Sequence, residues 1–522
     1  MPDAPSSANL PDSRGIGRRL FVKNLSVAGI GLALGAGLSD RQRLSAAQPD
    51  SAAPAAPVDP RKRYVIVGTG HRHEMYQNAI ERDFRDTALL VGLCDKNPGR
   101  VEVAQELSKK NGSPVPAGYS AADFDRMLAE TRPDAVIVTT VDAIHHEYLV
   151  RAMEAGFDVI TEKPMTTTPE TCQKIVDTAA RTGRRCRVTF NYRYSPPRTQ
   201  VKELLMSGVI GDILSVDFHW MLNTIHGADY FRRWHSQKRN SGGLMIHKAT
   251  HHFDLVNWWL GAIPVSVFAT GKREFYTPAM AQRLGLSGAH ERCFTCPEKA
   301  KCAFLLDLTK EARLKRLYLD QEKHDGYCRD RCVFRPDIDI EDTMNVMVKY
   351  DTGTTLSYSL NAFNAWEGYA IAFNGTRGRL EHTTVEKIYV NGTDTEQGGL
   401  KEGGVTIRTY PLRGAPTDHT PWTGIGGHGG GDAVMLSEIF GARADADKYL
   451  RASNEHAGAY SCLIGAAANR CFVTGNPVLI ADLVQGLKRP PYAPMPTHEG
   501  PVPMPARLSG NPNAANETIP ST

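Results

Sequence analysis

The apolar positions of residues 61–192 fall in short, β-branched runs separated by polar stretches of helical period. RYVIVGTG (63–70), LLVGLCD (89–95), DAVIVTT (134–140), FDVITEK (157–163) and RRCRVTFNY (184–192) each predict a strand. VEVAQELSKK and HEYLVRAMEAG predict helices between them. Residues 166–183 carry a helix start signal: Thr168 as the cap, Pro169 in the first turn, and Glu170 near the positive end of the dipole. Strands that are apolar throughout and alternate with helices predict a parallel sheet buried on both faces, an α/β domain over 61–190.

Beyond residue 190 the period changes. MNVMVKYDTGTTLSYSLNAF (344–363) alternates about an Asp-Thr-Gly turn, and AIAFNGTRGRLEH (370–382) about a second turn, so hairpins are expected within a second domain over 191–485. EHAGAYSCLIGAAANRCF (455–472) predicts a core helix.

The ends do not fit a packed core. A basic GRRLFVK and an apolar LSVAGIGLALGAGL, too short to span a bilayer comfortably, precede a small-residue LSAAQ. Arg18 and Arg19, with Phe21 and Lys23, resemble a twin-arginine export signal over 1–47; an ordinary secretory signal and an uncleaved anchor are the alternatives. The export reading implies the twin-arginine machinery as a partner, a periplasmic or other extracytoplasmic location, and no stable span in the mature protein. Residues 48–60 read as a linker and 486–522 as a loose Pro-rich tail. With 522 residues and 41% hydrophobic, the chain suffices for two or three domains. Its net charge of +4, with no Lys/Arg stripe, argues against nucleic-acid binding.

A doubly wound sheet binds ligands at the carboxyl ends of its strands. Gly68 and Gly70 end the first strand where a helix should begin, a place for a dinucleotide pyrophosphate. His73 stands in place of the third glycine of that fingerprint. Arg72 is either a phosphate contact or a solvated loop charge. Asp95 ends the second strand, where an acid accepts from a ribose diol and disfavours a 2′-phosphate. NAD is therefore preferred over NADP, although the adjacent Lys96 argues the other way. Lys163 ends the fourth run. A lysine partly desolvated there has a lowered pKa and can exchange a proton with a substrate oxygen; a solvated strand-end charge is the alternative.

Five segments together resemble the Gfo/Idh/MocA oxidoreductases: VDAIH (141–145), TEKPM (161–165), NYRYSP (191–196), VIGDILSV (209–216) and SGGLMIHKATHHFDLVNWWLG (241–261). The resemblance covers residues 61–485 and implies a Rossmann domain followed by an α+β domain with a large, mainly antiparallel open sheet, in a homo-oligomer. It implies cofactor contacts from Thr140, Asp142, His145, Glu162 and Lys163, and catalysis by Lys163 with His251. His247 stands where the family has an aspartate, and it lies four residues from His251, on the same face if one helix carries both. Arg193, Trp234 and His252 are expected at a carbohydrate-like substrate; YFRRWHSQKRN offers Arg232, Arg233, Trp234 and His235 to a hydroxylated or anionic substrate, with a subunit-contact loop as the alternative. A zinc site at the histidines is disfavoured because no Glu follows the first of them.

Cys293, Cys296, Cys302, Cys328 and Cys332 cluster in an insertion over 288–335, with spacing that suits a structural zinc or iron–sulfur ligand set or, in an exported protein, disulfides. Cys94, Cys172, Cys186, Cys462 and Cys471 read as core. Three functions remain: hydride transfer at a secondary hydroxyl, a glycosidase that oxidises, eliminates, hydrates and re-reduces on a bound NAD, and a non-catalytic ligand sensor.

Overall fold

The computed structural model describes residues 59–386, 398–442 and 446–497. The expected export signal, most of the linker and the end of the tail lie outside these residues.

Two sheets organise the chain. The first holds β1 (Lys62–Val67), β2 (Ala88–Asp95), β3 (Ala117–Ser120), β4 (Ala135–Val138), β5 (Asp158–Thr161) and β6 (Cys186–Val188). Its order is β3-β2-β1-β4-β5-β6, all parallel, and the order reverses beside β1, which is where such a sheet opens a crevice. Both faces are buried: Val65 and Val67 of β1 join one apolar cluster, and Tyr64 and Ile66 the other. The five apolar runs of the sequence are β1, β2, β4, β5 and β6. The edge strand β3 escaped the pattern because AGYS is short and mostly exposed. Helix Pro169–Thr182 begins as its residues dictate: the Thr168 side chain accepts from the Thr171 amide and Gly183 ends the helix left-handed.

The second sheet is built from β7 (Ile213–Asn223), β8 (Pro264–Lys272), β9 (Thr343–Tyr350), β10 (Thr355–Asn364), β11 (Gly368–Gly375), β12 (Gly378–Glu386), β13 (Leu400–Pro411) and β14 (Thr417–Asp418). β15 (Ser453–Asn454) leaves this region to pair antiparallel with β6, extending the first sheet, and β16 (Val478–Leu479) pairs with β8. The nine strands are antiparallel except β7 beside β10. The expected hairpins are β9–β10, turning at a left-handed Gly353, and β11–β12. One face packs inward on helices Thr250–Leu260 and Glu455–Thr474. The other is open and exposes Phe268 and Met347.

The tail is docked at least through residue 495. Arg489 donates to the Gly261 carbonyl at 2.8 Å and Ala493 is buried. The insertion carries no disulfide, and all ten cysteines are free. Among the described residues, no group of three or more His, Cys, Asp or Glu side chains is arranged to hold a metal ion. Cys293, Cys296, Cys302 and Cys332 line one small cavity, whereas Cys328 lies beside Arg292, 3.3 Å away.

Candidate active site

The carboxyl ends of β1, β2, β4 and β5 open on a cleft of about 620 Å³. The turn after β1 needs its glycine: Gly68 has φ +93°, and a Cβ there would lie 2.7 Å from the Thr139 carbonyl. At Gly70 a Cβ would meet only the Tyr318 hydroxyl, at 3.7 Å, so this side of the turn faces the cleft. Asp95 ties the turn to β2, one carboxylate oxygen accepting from the Thr69 amide at 2.7 Å and the other from the Asn97 amide at 2.8 Å. The helix that follows, His73–Asn78, is short and passes into a wider turn over Ala79–Asp83, and His73 is buried against the Gly70 carbonyl. A close-packed glycine turn, a strand-end acid and an open cleft above them fit a dinucleotide.

Arg72 lines the cleft and is partly exposed, but it is held by carboxylates. It donates to Glu162 at 2.6 Å and lies 3.6 Å from Asp432. Glu162 also accepts from the Tyr76 hydroxyl at 2.8 Å, which fixes the end of β5. Thr140, Asp142 and His145 line the cleft with it. The His145 ring bridges strand ends, 2.9 Å from the Pro164 carbonyl and 3.2 Å from the Thr140 carbonyl; burial lowers it to about 4, so it is neutral at working pH.

Lys163 sits at the head of a cis peptide bond to Pro164 and donates from Nζ to the His247 carbonyl at 2.9 Å. Loss of water around its ammonium lowers it to about 8, against the opposing pull of Asp142 and Glu162. The His247 ring meets Asp142 at 2.6 Å. Burial drives this histidine well down and the Asp142 carboxyl well up. Tyr230, Trp234 and His235 pack around His247, with ring centroids 5.3, 5.7 and 4.1 Å away.

His247 and His251 do not share one helix. His247 ends Leu244–His247 and His251 belongs to Thr250–Leu260, yet both reach the cleft. His251 stacks on Tyr192 at 4.3 Å, and its buried Nδ1 has no hydrogen-bond partner. Trp234 lines the cleft as expected. Two of the expected substrate residues do not. Arg193 is fully buried in a two-pronged pair with Asp254, at 2.7 and 2.5 Å, and His252 is buried between Trp220, stacked at 4.0 Å, and the Tyr358 hydroxyl at 2.7 Å. Neither lines the cleft.

Sequence reasoning missed Lys248, Tyr192, His226, Tyr230 and Asn240 in this wall, and also Tyr318, Asp325 and Tyr327 from the insertion. Lys248 lies 4.6 Å over the Trp220 ring, and burial lowers it. The only sequence signal for Tyr230 and His235 was the aromatic and cationic density of YFRRWHSQKRN.

A family model described as an oxidoreductase family with an NAD-binding Rossmann fold matches residues 62–190, and its C-terminal alpha/beta companion matches 202–480. A putative oxidoreductase, YteT, of Bacillus subtilis is 36% identical over 81% of this chain and 99% of its own. D-glucoside 3-dehydrogenase of Escherichia coli is 28% identical over 38% of this chain and 54% of its own. The solved aldose-aldose oxidoreductase of Caulobacter crescentus shares the fold, with TM-score 0.53 and 16% identity over 80% of this chain and 99% of that one.

Proposed function

This chain belongs to the Gfo/Idh/MocA oxidoreductase family, and on that footing we propose that it moves a hydride between a nicotinamide dinucleotide and a secondary hydroxyl of a sugar, cyclitol or derivative. The observation that carries the reading is Lys163. It ends β5 in the same cleft as Asp95, lowered to about 8, beside a wall of His247, His251 and Trp234. The relative named as a D-glucoside dehydrogenase supports a sugar-like substrate.

When bound, the dinucleotide supplies the hydride acceptor or donor at its nicotinamide. Lys163 takes the hydroxyl proton during oxidation and returns it in reduction. A lysine near 8 is poised for both directions close to neutrality. His251 is the second proton-exchanging partner, and His247, locked to Asp142, orients the substrate hydroxyl. Trp234 offers a face on which a sugar ring stacks. Asp95 and the insertion's Asp325 both lie within 3.4 Å of Arg100 at the far end of the cleft. Two carboxylates there favour a ribose diol over a 2′-phosphate and make NAD the preferred of the two, against the pull of Arg100 and of Lys96, 3.8 Å from Asp325. The proposal extends to export by the twin-arginine route, an extracytoplasmic site of action and a homo-oligomer. Exposed Phe268 and Met347 on the open sheet face support the last.

Mass spectrometry of the purified protein should find co-purified dinucleotide, and a panel of sugars and glycosides should give nicotinamide reduction followed by absorbance. Unaltered turnover in Lys163→Ala would sink the reading. Release of an aglycone with no net change in cofactor would move it to a redox-neutral glycosidase.

A further inference from the structure

The Cys-rich insertion is no peripheral knob; it lies across the cofactor cleft. Tyr318 accepts from the His71 amide at 3.0 Å, on the turn after β1, and its own hydroxyl hydrogen remains to be donated. The Asn97 side chain donates to the Gln321 carbonyl at 3.1 Å, and Arg100 to Asp325 at 2.5 Å. Leu314, Leu317 and Tyr318 bury an apolar patch with Val103 of helix Pro98–Lys110.

Where the insertion meets the helix His226–Arg232, positive charge is left uncompensated. Arg329 is 0% exposed, and none of its three guanidinium nitrogens has a hydrogen-bond partner. It stacks 4.6 Å over the Tyr318 ring and lies 3.9 Å from Asp229. That one carboxylate also faces Arg233 at 2.7 Å and Arg232 at 3.9 Å. Arg233 and Tyr327 line the cleft, and the Arg233 Nε and the Tyr327 hydroxyl are likewise buried and unpartnered. Three guanidiniums around one carboxylate, those of Arg232 and Arg329 buried and that of Arg233 half-buried, leave an excess of positive charge. An under-compensated buried charge is destabilising. An oxyanion placed among these groups would remove that cost.

We propose that Arg233 and the Tyr327 hydroxyl, which line the cleft, together with the fully buried Arg329, which adds its charge from outside that lining, form an oxyanion-binding subsite that the insertion adds to the cleft. The oxyanion has two sources within reach, the pyrophosphate of the dinucleotide and a carboxylate or phosphate on the substrate. This rests on the dinucleotide reading above.

The test compares full-length wild type with Arg329→Gln, Arg329→Lys and Tyr327→Phe, each first checked for an unchanged circular dichroism spectrum. Binding of NADH, ADP-ribose and adenosine is measured by fluorescence and calorimetry. Turnover of a uronic acid is measured against the matching neutral sugar. A pyrophosphate partner predicts that Arg329→Gln weakens NADH and ADP-ribose about tenfold or more while adenosine is unaffected, with Arg329→Lys recovering part of the loss. A substrate oxyanion predicts unchanged dinucleotide affinity and a lost preference for the uronic acid. Because Arg329 is buried and its replacement is liable to misfold, Tyr327→Phe, which removes only a hydroxyl, must shift the same readout in the same direction. Folded variants that change neither readout overturn the subsite. A wild type that binds no dinucleotide overturns the oxidoreductase reading, and this one with it.

Discussion

At Lys163 two influences oppose each other: lost hydration lowers the ammonium, while Asp142 and Glu162 hold it up, and the outcome is about 8. The neutral amine is the proton acceptor, so kcat/KM for alcohol oxidation should climb with pH below about 8 and level above it, whereas the reduction direction should fall above the same point. Lys163→Met should lose about 10²- to 10⁴-fold in kcat/KM while still binding dinucleotide, as NADH fluorescence titration would show. Arg193 makes the contrasting case. In the sequence, within NYRYSP (191–196), it was expected at the substrate. Its partner, Asp254, lies 61 residues on and no local pattern announces the pairing. Arg193→Ala leaves a buried carboxylate alone, so the denaturation midpoint should drop by an amount worth about 3–5 kcal/mol while KM stays unchanged. The position of Lys163, by contrast, was legible because it follows from a strand end, and strand ends are visible in the apolar pattern.

The strands of the first sheet were legible for a related reason. Burial on both faces forces a continuous apolar run, whereas β3, exposed at an edge, leaves none. The turn after β1 was legible through its glycines. Gly68→Ala should weaken dinucleotide binding about tenfold or more, because a Cβ 2.7 Å from the Thr139 carbonyl at φ +93° pushes the turn off β4; isothermal titration would measure it. The histidine pair was only half legible. Spacing of four suggested one helical face, but the chain breaks at Lys248 between two helices, and both histidines reach the cleft by another geometry. The insertion was misjudged as an element. Its cysteine spacing drew attention to metals, while its working contacts are to Asn97 and Arg100, more than two hundred residues earlier, and such pairings leave no local trace.

Across the whole molecule the cleft joins both sheets and the insertion, so ligand binding and folding are linked. A dinucleotide at 100 times its dissociation constant adds about 2.7 kcal/mol, and the melting midpoint should rise by a few degrees in differential scanning fluorimetry. The proposed export belongs to this scale too. Replacing Arg18 and Arg19 together by lysine should leave the protein in the cytoplasmic fraction on cell fractionation.

β15 reaches back to the first sheet, where Ser453 donates to the Val188 carbonyl and its strand covers the edge of β6. A ribosome releases Val188 265 residues before Ser453, which at about 5–20 residues per second is a wait of roughly 15–50 s. During that interval β6 is an unpaired edge, the kind of template on which nascent chains stick to one another. A fragment ended near residue 190 leaves that edge uncovered for good and should precipitate where the whole chain stays in solution.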